Sequence, residues 1–140
     1  MPVYPGSTQY MIEEEEDYQL NLKGKTQVEH KNIMVYFAGL RCSAKAGKYE
    51  NGQVSISLLD HRRWLHAIAT VALDTEYLRY VFGINEVPEG WVIIKEYSEN
   101  QGIFEALVKA QVVTDGGAIY GGLPPYQAKV VLCKLISELP

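Results

Sequence analysis

The side chains best suited to chemistry lie in two short polar runs, D-H-R-R-W at residues 60–64 and K-E-Y-S-E-N at residues 95–100. Asp60 stands beside His61, and a relay of these two with Ser98 as nucleophile would have Ser-His-Asp composition. No G-x-S-x-G sequence surrounds Ser98, and its hydroxyl is better explained as a helix cap. We therefore expect no catalytic residue in either run.

Metal and phosphate chemistry are disfavoured by residue spacing. His30, His61 and His66 form no His-x-x-x-His pattern, and no cysteine lies near them. The glycine pairs at residues 116–117 and 121–122 are not followed by the Lys-Ser or Lys-Thr of a phosphate-binding loop. We expect no metal and no cofactor.

Binding is the role that these polar runs favour. Tyr97 and Asn100 flank a point where a strand passes to a helix N-terminus, and exposed amides at such a point accept anions. The alternative is that Asn100 only orders this corner. Arg62, Arg63 and Trp64 form a second candidate contact group because Arg and Trp are enriched in interface hot spots, although such hairpin tips are commonly just solvated.

Composition is that of one ordinary globular domain, with 140 residues of which 47% are apolar and 21% charged. The net charge is −4 and the thirteen Lys and Arg are scattered, which disfavours a nucleic-acid partner and leaves open a local basic patch formed in three dimensions. Cys42 and Cys133 lack C-x-x-C spacing, which favours free thiols and leaves a long-range disulfide open. Without a signal peptide or membrane span, we expect a cytoplasmic protein with no membrane partner.

Residues 1–31 differ from the remainder. Five consecutive acidic residues, 13–17, follow a stretch rich in Pro, Gly and Tyr. Runs of like charge are usually solvated or disordered. We predict a partly disordered acidic arm over residues 1–31 ahead of a single domain over residues 32–140. A sharper alternative is that the arm engages a basic partner or imitates the charge of nucleic acid.

Strand signals dominate the rest of the chain. Residues 33–37 are apolar and β-branched, and residues 54–58 and 64–73 alternate in polarity, although a helix is the alternative for residues 64–73. Asn-Gly at residues 51–52 is a strong hairpin signal because both residue types accept positive φ. Residues 60–63 have the length of a second hairpin loop.

Helical signals are fewer. Ser98 and Gln101 have capping-box spacing, and the apolar stripe that follows predicts a helix over about residues 99–110. Residues 74–82 predict a shorter helix, whereas residues 127–136 are apolar on both sides, as a covered strand would be. We predict an α+β fold: a mainly antiparallel sheet of five to seven strands with one principal helix packed on a face.

One part of the chain resembles a known family. The runs Y-E-N-G, V-S-I-S-L-L, A-I-A-T-V-A-L and V-I-I-K-E-Y-S-E-N-Q-G-I-F-E-A-L-V-K-A are similar to a family of small proteins of unknown function associated with plasmids, phages and other mobile elements. The match covers about residues 49–113, and K-E-Y-S-E-N-Q-G is its specific part. Between residues 74 and 90 this sequence departs from the pattern by an insertion. The resemblance implies a compact α+β fold and a mobile-element setting, and supplies no catalytic residue.

We therefore expect a non-enzymatic binding protein of a phage or mobile element, with counter-defence as one role. It would hold a host protein or sequester a small, nucleotide-like ligand. The pocket would lie at a homo-oligomer interface, because one domain of this size has little room. The alternatives are a small hydrolase using Asp60 or Glu99 with His61, and an interaction module whose acidic arm orders on a partner.

Overall fold

The structure is a computed structural model that describes residues 32–124 and 127–140. This part of the chain is α+β, as predicted, whereas the predicted acidic arm over residues 1–31 lies outside it. The strands are β1 (Met34–Phe37), β2 (Leu40–Lys48), β3 (Val54–Leu59), β4 (Leu65–Ile68), β5 (Trp91–Lys95), β6 (Ala118–Leu123) and β7 (Ala128–Lys134), and the helices are α1 (Thr75–Phe82) and α2 (Ile103–Lys109).

The prediction of one sheet with one principal helix is wrong. The strands form two antiparallel sheets, one of four strands in the order β1-β2-β3-β4 and one of three in the order β5-β7-β6. Two helices accompany them. The predicted strand over residues 64–73 is divided, since β4 ends at Ile68 and Thr70 then pairs with Ile94 of the second sheet. Alternating polarity does not reveal this change of partner because both pairings need the same pattern.

The hairpins predicted at residues 51–52 and 60–63 are confirmed, whereas a third hairpin-type turn expected at residues 115–117 is wrong, because β6 pairs with β7 and Val113 pairs with Leu135. At the β2–β3 turn the Tyr49 amide donates to the Gln53 carbonyl at 2.8 Å, and Gly52 has φ of +88°. A side chain there would be strained, which is why the turn needs glycine. At the β3–β4 turn the Asp60 amide donates to the Trp64 carbonyl at 2.9 Å.

The strands β5 and β7 separate two hydrophobic cores. Val92 and Ile94 of β5 face the first core, which contains α2 and the inner face of the four-stranded sheet. Ile93 faces the second core, beneath α1. In β7, Val131 and Val130 alternate between the cores in the same way. The prediction of a strand covered on both sides near residues 127–136 is thus confirmed.

The shorter predicted helix is confirmed as α1. The Asp74 carboxylate accepts the Tyr77 amide at 3.0 Å, which satisfies one of the amides left open at a helix start. Gly83 ends the helix in a left-handed conformation with φ of +70°. Leu78 is the buried side chain of α1 and anchors the helix over the second core.

Thr70 is the polar junction between the two sheets and is only 2% exposed. Its hydroxyl accepts the Ile56 amide at 3.1 Å and lies 3.0 Å from the Tyr49 hydroxyl. The Tyr49 hydroxyl also donates to the Thr70 carbonyl at 3.0 Å. Burial raises the pKa of Tyr49 and outweighs the opposing effects of the Thr70 hydroxyl and the Lys95 charge, so this phenol stays a neutral donor at physiological pH.

Replacing the junction hydroxyl tests its contribution. Thr70→Val keeps the shape and leaves the buried Ile56 amide without its acceptor, so we expect the free energy of unfolding to fall by about 1–3 kcal/mol. Urea denaturation measures this. Thr114→Val is the control, because its hydroxyl donates to the Gly116 carbonyl at 3.2 Å and accepts the Lys134 amide at 3.4 Å in exposed positions, where water can replace both bonds. Equal losses in the two variants would contradict a special role for Thr70.

Candidate functional site

The five predicted contact residues fall into two groups at opposite ends of β4. The group at the turn before β4 consists of Arg62, Arg63 and Trp64, and the group after β5 consists of Tyr97 and Asn100. The Asn100 side chain reaches the last residue of β4, since its Nδ2 donates to the Ile68 carbonyl at 2.7 Å. A four-residue strand separates its ends by roughly 10 Å. The two groups therefore lie apart and do not form one site.

Asn100 acts from inside the protein. It is fully buried, and its backbone amide donates to the Tyr97 carbonyl at 3.0 Å. Within the described part of the chain, its Oδ1 has no hydrogen-bond partner. Its side-chain amide joins the corner after β5 to the end of β4. Of the two roles that the sequence analysis left open for Asn100, binding or ordering of the corner, this contact fits the ordering role.

The N-terminus of α2 is capped by Glu96, which sequence reasoning missed. Its carboxylate accepts the amide of Gly102 and, at 2.8 Å, the amide of Phe104. A negative charge at this end also interacts favourably with the helix dipole. The amides that would accept an anion at this corner are therefore already used by the protein's own carboxylate.

The predicted capping box is wrong for a local reason. Ser98 has φ of +59° and begins a single 3-10 turn, so the chain is not yet helical at this residue. Gly102 follows with φ of +92°, and α2 starts only at Ile103. The predicted helix over residues 99–110 is thus shortened at its N-terminal end. The S-x-x-Q spacing is present, but the backbone that a capping box requires is absent.

The carboxylates of the hydrolase alternative are both held ionised. A hydrogen bond from Lys95, at 2.8 Å, is the largest cause that lowers the pKa of Glu99 to about 2. At Asp60, partial burial opposes ionisation, yet the amides of Trp64 and Arg62 outweigh it and lower the pKa. A general acid or base at neutral pH works best with a pKa near 7. This geometry suits structural carboxylates better than catalytic ones.

The turn before β4 is rigid and carries an exposed aromatic ring. The Asp60 carboxylate accepts the amides of Arg62 at 2.8 Å and Trp64 at 3.0 Å. The Arg62 guanidinium lies 5.6 Å from the centre of the Trp64 ring, which is 67% exposed. Arg63 adopts a left-handed conformation with φ of +67°. The turn therefore presents Arg and Trp side chains from a fixed backbone.

A partly open cleft of about 630 Å³ lies beside the corner after β5. Small-ligand sites commonly have volumes of about 300–1,000 Å³. Two of its residues, Ser98 and Gln127, have φ of +59° and +55°, and such strained backbone is concentrated at functional sites. The lining residues are Glu96, Tyr97, Ser98, Gln101, Leu123, Pro124, Gln127, Ala128 and Lys129.

The second wall of the cleft could not be seen in the sequence. Gln127 and Lys129 are separated from Tyr97 by thirty or more positions, and strand pairing brings them together. The Glu96 amide donates to the Lys129 carbonyl at 3.0 Å, continuing the β5–β7 ladder past the end of β5. Tyr97 is the one predicted contact residue that lines the cleft.

No protein-family model, curated protein or solved structure matches the chain. The resemblance around K-E-Y-S-E-N-Q-G therefore stays a prediction. Within residues 32–124 and 127–140, no helix is long and apolar enough to cross a bilayer, and no three His, Cys, Asp or Glu side chains are placed to hold a metal ion. Cys42 and Cys133 are free and buried, and burial raises the pKa of Cys133 to about 12.

Mutation can show whether Glu96 or Ser98 caps the N-terminus of α2. Glu96→Ala leaves the first amides of α2 without an acceptor, so we expect a loss of about 1 kcal/mol in the free energy of unfolding. Ser98→Ala removes a hydroxyl that caps no helix, and the loss should be less than half as large. Chemical denaturation of both variants measures the difference. A larger effect at Ser98 would contradict the assigned cap.

We expect the ion pair between Lys95 and Glu99 to contribute less to the free energy of unfolding in acid. Glu99 has a folded pKa of about 2, below its ordinary value of 4.5, so its contribution is full above pH 4.5 and disappears as pH falls toward 2. The stability difference between wild type and Glu99→Gln should therefore shrink as pH is lowered from 6 to 3. Glu105→Gln is the matched control, since its partner Lys109 is more distant, at 3.8 Å. The same trend in both variants would argue against the prediction.

Proposed function

We propose that this protein is a non-enzymatic binding protein that sequesters a small, nucleotide-like ligand in the cleft beside the corner after β5. The observation that supports this best is the composition of the cleft, in which an aromatic ring, two amide side chains and one cation meet. They come from two distant parts of the chain, and the strained residues Ser98 and Gln127 both contribute.

Four of the lining side chains match parts of such a ligand. The Tyr97 ring offers a stacking surface for a base. The Lys95 ammonium lies 5.2 Å from the centre of the same ring. Gln101 and Gln127 can each donate and accept hydrogen bonds, as the edge of a base requires. Lys129 supplies a positive charge for a phosphate.

A binding role without catalysis is supported by the state of the carboxylates. Glu96 is engaged by the amides at the start of α2, and Glu99 by Lys95. Lys95 lowers the pKa of Glu99 to about 2, so Glu99 is ionised near neutral pH. The resemblance to mobile-element proteins supports a phage or plasmid setting, in which a cytoplasmic protein that removes a host nucleotide signal would act in counter-defence by binding alone.

Native mass spectrometry of protein freshly purified from cells, before and after denaturation, tests the proposal. We expect a retained small molecule with a base chromophore, and binding of adenosine or AMP by calorimetry. Gln127→Gly should weaken that binding while leaving stability unchanged or higher, because it removes both an amide and a strained φ.

Gln111→Gly is the matched control, because Gln111 also has a left-handed backbone, with φ of +61°, and does not line the cleft. It should leave ligand binding unchanged. Purified protein that carries no small molecule and binds neither adenosine nor AMP would overturn the proposal. A host protein would then be the partner to seek by pull-down from lysate.

A further inference from the structure

Two residues that line the cleft, Glu96 and Lys129, are neighbours across the strand ladder. The register of β5 and β7 sets Lys95 opposite Val130, and the Glu96 amide continues it by donating to the Lys129 carbonyl at 3.0 Å. Directly opposed residues of an antiparallel pair project to the same face, with Cβ atoms roughly 4.5–5.5 Å apart. The cleft therefore presents a carboxylate and an ammonium side by side.

These two charged groups do not form an ion pair with each other. The Glu96 carboxylate is turned toward α2, where it accepts the amides of Gly102 and Phe104. Within residues 32–124 and 127–140, the exposed Lys129 ammonium forms no ion pair. An anionic group of a ligand could therefore bind Lys129 without displacing a carboxylate of the protein.

The Glu96 carboxylate is a fixed acceptor that still has unused lone pairs. An ionised carboxylate has about four lone-pair positions, and the two amides of α2 use two of them. The bond to Phe104 is partly buried, whereas the bond that Oε2 accepts from Gly102 is exposed. Because the amides already hold this side chain in place, a ligand that donates to Oε2 pays little of the entropy of ordering it.

The hydroxyls of a ribose are the donors of a nucleotide that suit such an acceptor. An ionised carboxylate only accepts hydrogen bonds, so it repels a phosphate and attracts O–H groups. The 2′- and 3′-hydroxyls of ribose lie on adjacent carbons and can both reach one carboxylate. The acidic side chain of dinucleotide-binding folds accepts the ribose 2′-hydroxyl by the same chemistry.

The cleft lies across the end of the β5–β7 pair, so its lining comes from both faces of these strands. Glu96 lies on the face of Ile94, which belongs to the first core, whereas Tyr97 packs against the second core. In a nucleotide the ribose joins the base to the phosphate. A base at Tyr97 therefore leaves the ribose to pass the strand end toward Glu96 and the phosphate to reach Lys129.

We propose that the cleft selects a ribonucleoside monophosphate, with the ribose hydroxyls on the Glu96 carboxylate and the phosphate on the Lys129 ammonium. This inference rests on the nucleotide-binding function proposed above. Glu96 and Lys129 are the two charged residues among those that line the cleft. The nearby Lys95 ammonium is bonded to Glu99 at 2.8 Å. A second or third phosphate would therefore lack a cation and would be repelled by Glu96.

Calorimetry of the unmodified full chain with AMP, 2′-deoxy-AMP and ATP, in buffer without divalent cations, tests this selectivity. We expect 2′-deoxy-AMP to bind about tenfold more weakly than AMP, because the carboxylate loses one charge-assisted hydrogen bond. ATP should bind no more tightly than AMP. These comparisons change only the ligand, so they decide the question even if a variant of Glu96 fails to fold.

Variants of the two charged residues assign the selectivity to them. In Glu96→Gln, the affinity ratio of AMP to 2′-deoxy-AMP should fall toward one, whereas a purely structural role would lower both affinities and leave their ratio unchanged. Lys129→Ala should weaken AMP about tenfold and leave adenosine unaffected. Glu105→Gln on α2 and Lys134→Ala on β7 are the matched controls, because both residues are exposed and lie outside the cleft. Neither should change any of these affinities.

The outcomes separate this inference from the function on which it rests. Equal affinity of the unmodified protein for AMP and 2′-deoxy-AMP, or tighter binding of ATP, would overturn the selectivity and leave nucleotide binding standing. An unchanged ratio in Glu96→Gln would overturn the assignment of the ribose hydroxyls to Glu96. Failure to bind either adenosine or AMP would overturn both proposals.

Discussion

The two sheets of this protein are joined by a segment of three residues, 69–71, that pairs on both sides. The Ala69 amide donates to the Ile56 carbonyl of β3 at 2.8 Å, and the Ala69 carbonyl accepts the Lys95 amide of β5 at 2.8 Å. Thr70 adds its buried hydroxyl to the same junction. Because an unpaired buried amide is costly, this short segment fixes the position of β5 relative to the first sheet. The corner after β5 and the cleft beside it depend on that position.

The corner shows how one short polar run can serve structure on one side and binding on the other. Asn100 faces inward and holds β4, and the Glu96 carboxylate caps α2 at the edge of the cleft. Tyr97 and Ser98 line the cleft on the other side. The strained backbone of Ser98 is the consequence, since the chain must turn sharply to place both sets of side chains.

Charge is divided unevenly between the first and second halves of the described chain. Residues 34–68 carry five Lys or Arg and two carboxylates, whereas residues 69–140, which contain the cleft, carry five Lys or Arg and nine carboxylates. Field strength depends on where charges lie rather than on their sum, so a protein of net charge −4 can still attract an anion locally. Function in such a protein is therefore better argued from surfaces than from composition.

Local patterns in the sequence determined the hairpins, α1 and the doubly covered strand β7, because each depends on neighbours within a few positions. The Asn51-Gly52 turn and the Asp74 cap are examples. Only the tertiary structure decided that Thr70 changes sheets, that Glu96 rather than Ser98 caps α2, and that Gln127 faces Tyr97 across the cleft. Each of these is a choice between partners that are equally compatible with the local pattern. Such choices are settled by which buried amides and apolar faces the whole fold can satisfy at once.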